Sequence, residues 1–67
     1  MLNRVIEIAA ALSDPLRVRL LAALRRGELR ASQLVVFAAV PPSTLSGHLA
    51  LLRRAGLVTA RRDGRWI

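Results

Sequence analysis

The side chains with chemical potential lie mainly in two short stretches of this chain. The first joins short hydroxyls, a glycine and the only histidine: Ser43, Thr44, Ser46, Gly47 and His48. The second places three guanidinium groups around an Asp-Gly pair: Arg61, Arg62 and Arg65. Hydroxyls hydrogen-bond base edges or phosphates, and guanidinium groups bind phosphates in bidentate fashion. Both stretches therefore indicate contact with nucleic acid.

Composition argues against an enzyme and against a metal site. The chain has one histidine and four acidic residues, and these form no evident pair of nucleophile and base. It has no cysteine, so disulfides and thiolate metal sites are excluded. We predict no catalytic residue, no cofactor and no metal.

The charge balance is the most informative bulk property. Eleven basic residues, all of them Arg, stand against four acidic ones, which gives a net charge of +7. Such a charge in a small domain predicts a polyanionic partner, nucleic acid first and an anionic membrane surface second. The longest apolar run, residues 34–42, is too short to span a bilayer, and no signal peptide is evident. We expect no membrane segment and a cytoplasmic location.

A predicted helix over residues 42–55 positions the first stretch. A proline is tolerated in the first turn of a helix, and Gly56 supplies the left-handed residue that ends one. Leu45, Leu49 and Leu52 fall on one face. The opposite face is small and then basic: Ser43, Ser46, Gly47, Ala50 and Arg54. Such a face fits the DNA major groove, and an ordinary surface helix poor in Lys and Glu is the alternative.

Three further helices are predicted upstream. The first covers Leu2–Leu12 and is apolar nearly all round, so it needs cover on more than one side. A second copy of the chain is the expected cover, although both faces could also pack within one monomer. The predicted dimer contacts are Leu2, Val5, Ile6 and Ala9.

The second and third predicted helices complete a helix-turn-helix. Asp14 as N-cap and Pro15 open the second, which runs to about Arg26 with Arg25 and Arg26 complementing its dipole. The third is capped by Ala31 or Ser32 and ends near Ala38, with Leu34 and Phe37 buried. Val35 and Val36 are both β-branched, and at least one should face solvent or a partner.

A small β-hairpin is predicted after the last helix. Leu57–Thr59 favour a strand, and Asp63-Gly64 is a strong hairpin signal because both central residues of that turn need positive φ. The connector Glu28–Arg30 could add one bridge. Three arginines at a hairpin tip suit flanking phosphates, or are simply solvated. The return strand stops at Ile67, so we expect a fragment of a longer chain.

Three stretches in this order, residues 11–21, 43–58 and 62–66, resemble the ArsR/SmtB family of bacterial winged-helix repressors. The resemblance implies a homodimeric transcriptional repressor on a palindromic operator. By position, Ser43, Thr44, Ser46 and His48 match DNA-contacting residues of the family, and the arginines of the last stretch match its phosphate contacts. The family's dimer uses the first helix and a last helix beyond the hairpin, which this sequence lacks.

The departures from the family pattern are informative. Many members carry Cys for metal sensing where this chain has Arg30, Ala31, Ser32 and Gln33, so metal binding is not expected. Pro42 stands where Gln is usual and Gly47 where Arg is usual, which favours phosphate contact over base readout. Ala39 replaces the usual turn glycine, which costs little only if that residue is not left-handed.

Together these observations predict one domain over residues 1–67. Its fold class is mainly α with a small β-hairpin, a winged helix-turn-helix of four helices and a wing. The predicted function is a DNA-binding repressor that inserts helix 42–55 into the major groove of double-stranded DNA and places the arginine-rich wing on phosphates. The alternative is a winged-helix protein interaction module that works through the first helix and Val35-Val36. Interspersed turn signals argue against a third possibility, an amphipathic membrane-surface peptide.

Overall fold

The computed structural model describes residues 2–67, and side chains from Asn3 onward. It contains four helices: α1 (Leu2–Ala11), α2 (Pro15–Ala23), α3 (Ala31–Ala38) and α4 (Pro42–Arg54). Three of them end within about one residue of the positions predicted from the sequence. The exception is α2, which ends at Ala23 rather than near Arg26.

Helix α2 begins as predicted and ends early. Oδ1 of Asp14 accepts hydrogen bonds from the backbone N–H groups of Leu16 (2.7 Å) and Arg17 (3.4 Å), the first of which keeps the pKa of Asp14 below its ordinary value. At the other end, the N–H of Arg25 turns to the carbonyl of Ala22, three residues back. Arg25 and Arg26 therefore lie in the following turn, and their predicted place in the last turn of α2 is wrong.

Helix α3 has its N-cap one residue before the first of the two predicted caps. Its N-cap is Arg30, whose backbone N–H donates to Oε1 of Gln33 at 2.9 Å. The predicted caps Ala31 and Ser32 are already helical, because the Gln33 side chain satisfies the N–H of Arg30 and lets the helix start there.

The core is aliphatic and draws on three of the helices for its largest fully buried side chains. These are Leu20, Leu34, Leu45 and Leu52. Phe37 does not join them as predicted: it is 42% exposed, and the guanidinium carbon of Arg19 lies 5.2 Å from its ring centroid. Helix α3 turns Leu34 and Ala38, four residues apart, toward the core, which leaves Phe37 at the margin. Val36 is 81% exposed, as expected for one of the two valines.

Helices α3 and α4 meet at 107° across a three-residue turn, the arrangement of a helix-turn-helix. Ala39, the first residue of that turn, has φ 56° and ψ 39°, so it is left-handed and the condition for a low-cost replacement of glycine is not met. Among the described residues no single helix is long and apolar enough to cross a membrane, and α3 with α4 reaches that length only across the bend.

The strands predicted on either side of the Asp-Gly turn are not formed in residues 2–67. Leu57–Thr59 have no regular secondary structure, because the chain first closes α4. Gly56, at φ 76°, donates its N–H to the carbonyl of Arg53 (2.9 Å), and the N–H of Leu57 donates to Leu52 (2.9 Å). The N–H of Leu57 is thus unavailable to a strand ladder, and the strand prediction is wrong.

A short loop replaces the hairpin, and we call residues 61–66 the wing. It is closed by an isolated antiparallel bridge between Arg61 and Trp66, and Trp66 makes a second bridge to Arg30 of the connector, as the sequence suggested. The turn itself agrees with prediction, since Asp63 (φ 57°) and Gly64 (φ 81°) both have positive φ.

Candidate nucleic-acid interface

The outer face of α4 is open to the outside. Leu45, Leu49 and Leu52 are 2%, 7% and 0% exposed and hold the helix against the core. The predicted DNA-contacting residues on the opposite side are exposed: Ser43, Thr44, Ser46, Gly47 and Arg54. A Cβ built on Gly47 would meet nothing within 4 Å, so no part of the described chain covers this point. A partner surface can approach the backbone of α4 closely here.

His48 lies at the edge of this face and is half-buried. Its Nδ1 is 3.0 Å from Nη1 of Arg17, whose other nitrogens donate to the carbonyls of Ala11 (2.8 Å) and Ala10 (3.1 Å). A guanidinium only donates, so Nδ1 accepts and the ring proton lies on Nε2. Arg17 thus fixes the ring while capping α1, a role that its place in residues 11–21 did not reveal.

The C-terminal end of α4 is strongly basic. Arg53 and Arg54 occupy its last turn and are both exposed. Nη1 of Arg4 donates to the carbonyl of Arg54 at 3.1 Å, which ties α1 to this end of the helix. Positive charge at a helix C-terminus is favourable, so these three arginines also stabilise α4. Arg53 was not among the predicted site residues, although it neighbours one.

The three wing arginines differ in how their charge is used. Arg61 forms a bidentate pair with Glu28, with Nε–Oε2 at 2.7 Å and Nη2–Oε1 at 2.5 Å. The contact raises the pKa of Arg61 and lowers the pKa of Glu28 through its hydrogen bonds. It is the one ion pair among the described residues, while Arg62 and Arg65 are exposed. The charge of Arg61 is therefore partly compensated within the chain.

The fold brings the helix face and the wing together. Ser46, Ala50 and Arg53 of α4 line one groove of about 180 Å³ that also includes Gly64 of the wing. The two stretches predicted separately from the sequence therefore meet at this groove. Its lining is mostly small and apolar, with one hydroxyl, that of Ser46, and one arginine, Arg53.

The predicted dimer residues on α1 form an uncovered apolar face. Val5 and Ile6 are 59% and 64% exposed, and Ala9 is exposed as well. The side chain of Leu2 lies outside the described residues. The opposite side of α1 is the one that packs on the core, through Ile8 and the fully buried Ala11.

Comparison with known proteins gives consistent results. The model of a family described as "Bacterial regulatory protein, arsR family" matches residues 14–60. The chain is 42% identical over 63 residues to a "Transcriptional repressor SmtB homolog" of Synechocystis, covering 94% of this chain and 48% of that protein. It is also 42% identical over 55 residues to a "Probable mercury resistance operon repressor" of Streptomyces lividans, covering 82% and 44%.

A solved structure is similar as well. HlyU from Vibrio cholerae superposes with a TM-score of 0.81 at 31% identity, over 96% of this chain and 70% of that one. The chain spans about half the length of the two curated relatives above. The match therefore concerns the part of those proteins that corresponds to α1 through the wing.

Proposed function

The chain belongs to the arsR family of bacterial regulatory proteins, a family of DNA-binding transcriptional regulators rather than enzymes, and we propose that it acts as a repressor that places α4 in the major groove of its operator. The single observation that carries the proposal is the exposed, small outer face of α4 backed by buried leucines. A helix with that cross-section enters a major groove, which admits an α-helix and presents base edges to it.

Each exposed residue has a role suited to its chemistry. The hydroxyls of Ser43, Thr44 and Ser46 hydrogen-bond base edges or the first phosphates. Gly47, which has no side chain, lets the backbone of α4 lie close to the floor of the groove. His48 offers its Nε2–H as a donor, because Arg17 occupies the other ring nitrogen.

The basic residues serve the phosphates on either side. Arg54, at the end of α4, contacts the DNA backbone, and Arg62 and Arg65 of the wing contact the flanking DNA strand. Arg61 contributes less than these, since its guanidinium is held by Glu28. The scarcity of long donors on the face of α4 makes phosphate contact, rather than base readout, the larger share of the affinity.

Two copies of the chain bind together in this proposal. The exposed apolar face of α1, with Val5, Ile6 and Ala9, covers the same face of a second copy and relates two α4 helices by a two-fold axis. Such a dimer reads a palindromic site with half-sites about one helical turn apart.

Substitution at Gly47 tests the groove proposal most directly. Gly47→Arg adds a long donor at an open point of the helix face, so duplex affinity should rise about tenfold, with a salt slope steeper by about one phosphate contact. Gly47→Glu is the matched control of similar size, and it should bind far more weakly than the original chain. Fluorescence anisotropy with a labelled duplex over a salt series measures both.

The proposal fails on either of two results. One is salt-independent or absent binding by the original chain. The other is equal affinity of the Arg and Glu variants, which would place residue 47 away from the DNA.

A further inference from the structure

We propose that a pocket between the start of α3 and the wing binds a phosphate group. It measures about 350 Å³ and is lined by Arg30, Ala31, Ser32, Arg62, Arg65 and Trp66. We call it the arginine pocket. Three arginines and one serine line it, and none of its lining residues is a carboxylate. That donor set, with no acceptor of opposite charge, is the chemistry that recognises an oxyanion.

The walls of the arginine pocket are held by main-chain hydrogen bonds. The N–H of Ala31 donates to the carbonyl of Arg65 at 2.8 Å, and the N–H of Arg65 donates to the carbonyl of Arg62 at 3.1 Å. Two reciprocal bonds between Leu29 and Ile67, at 3.0 and 2.9 Å, continue the pairing. The backbone that carries the three arginines is thus fixed in advance, which lowers the entropic cost of gathering them around a ligand.

Neither nearby carboxylate pairs with an arginine of the pocket: the one ion pair of the described residues is Arg61–Glu28, and Asp63 of the wing forms none. Glu28, the carboxylate of the adjoining connector, is already engaged by Arg61 in its bidentate pair. The guanidinium carbon of Arg30 lies 5.0 Å from the ring centroid of Trp66, a contact that orients the side chain and leaves it charged. Arg30 therefore joins Arg62 and Arg65, although no motif or spacing in the sequence groups it with them.

Two ligands offer such a phosphate group, namely free inorganic phosphate and the backbone of duplex DNA, and the test distinguishes them. Binding of the free ion is independent of the proposed function, whereas binding of the backbone phosphate rests on it. The first arm of the test titrates inorganic phosphate, with ionic strength held constant by sodium chloride, and follows the emission of Trp66. Trp66 is the one tryptophan of the chain, so the signal comes from the pocket wall.

The second arm measures duplex affinity by anisotropy in chloride buffer. Both arms compare the original chain with Arg30→Ala and with Arg65→Gln, whose backbone bonds to Ala31 and Arg62 do not involve the side chain. Arg26→Ala is the matched control, since it removes one exposed arginine outside the pocket. Circular dichroism checks that each variant is folded, and Arg65→Gln decides the test if Arg30→Ala is not.

A saturable change in emission supports the free ion as ligand if the phosphate affinity falls about tenfold in the pocket variants and is unchanged in Arg26→Ala. A flat titration, with a loss of duplex affinity at least fivefold greater in the pocket variants than in Arg26→Ala, supports the backbone phosphate. The inference is overturned if the pocket variants match Arg26→Ala in both arms, even where the original chain binds DNA. A saturable phosphate response without duplex binding would refute the proposed function and leave the arginine pocket standing.

Discussion

Ala39 holds the left-handed backbone conformation that joins α3 to α4, with φ 56° and ψ 39°. This conformation brings the Cβ of an L-residue close to the following carbonyl oxygen at a cost of about 1–2 kcal/mol, which glycine avoids. Ala39→Gly should therefore raise the free energy of unfolding by about 1 kcal/mol, after the extra entropy of glycine in the unfolded chain is subtracted. Urea denaturation at a fixed chain concentration measures the change.

Ala50→Gly is the matched control for this substitution. Ala50 is exposed in the right-handed interior of α4, so glycine there should lower the free energy of unfolding by about 0.5–1 kcal/mol. The explanation by backbone strain is wrong if both substitutions destabilise the chain to a similar extent.

Glu28 holds a wing arginine that is predicted from the sequence to contact DNA. Its bidentate contact holds the guanidinium of Arg61, and both side chains are close to half exposed. Glu28→Gln should release Arg61 and strengthen duplex binding, with a salt slope steeper by about one phosphate contact. Anisotropy titrations at several salt concentrations give both quantities.

Glu7→Gln separates release of Arg61 from the general effect of added charge. Glu7 lies on α1, and its substitution changes the net charge by the same amount. Equal gains in affinity for the two variants would show that Arg61 makes no contact of its own.

At the scale of the element, the N-cap of α2 links the fold to pH. Hydrogen bonds from Leu16 and Arg17 stabilise the ionised form of Asp14, so its pKa in the folded chain lies below the ordinary value of 3.8. A carboxyl with a lowered folded pKa contributes stability above its unfolded pKa and loses that contribution as pH falls through the folded value. The cap contribution is therefore full at pH 7 and decreases as the pH falls below about 4.

Two substitutions at Asp14 test this dependence. Asp14→Asn keeps an acceptor that caps well, so its melting temperature at pH 7 should stay near that of the original chain, with a smaller loss on acidification. Asp14→Ala removes the acceptor and should melt several degrees lower at pH 7. Thermal melts followed by circular dichroism at pH 7 and pH 3 measure these changes. If the melting temperature of Asp14→Asn falls as much on acidification as that of the original chain, other carboxyls cause the pH dependence.

The helices were predictable because their signals are local. Asp14-Pro15 at one start, Gly56 at one end and the leucine spacing of α4 each act within a few residues, and each lies where the sequence places it. The same locality explains why the face of α4 could be chosen in advance, since burial of three leucines determines what is left outside.

The errors have two origins. One is local, because the N–H of Leu57 closes α4 on the carbonyl of Leu52 instead of pairing in a strand. The others depend on distant partners, as where Ile67 pairs with Leu29, which lies 38 residues away by sequence number. The rotation of α3 that exposes Phe37 depends on which of its residues meet the core. The grouping of Arg30 with the wing follows from these same contacts, so no periodicity or spacing could reveal it.

At the scale of the whole molecule, the uncovered apolar surface of α1 and the net charge of +7 both favour pairing of two copies on one duplex. A chain of this length buries only about 60% of its unfolded surface, so further burial at α1 adds stability that the monomer lacks. Pairing of two copies also doubles the positive charge that faces one duplex. Under the proposed function, we therefore expect a dimer to bind DNA more tightly than a monomer.

Ile6→Glu tests that conclusion, because it places a charge on the exposed apolar face of α1, where Ile6 is 64% exposed. The dissociation constant of the dimer should rise at least tenfold, since an unpaired carboxylate would be buried in the contact. Val36→Glu makes the same kind of change at an 81% exposed valine of α3 and should leave the dimer intact. Sedimentation equilibrium over a dilution series, with and without a palindromic duplex, reports the mass of each species. If Val36→Glu is instead the variant whose dimer dissociates, the contact lies on α3. That result would contradict the α1 contact and favour a protein interaction surface at Val35-Val36.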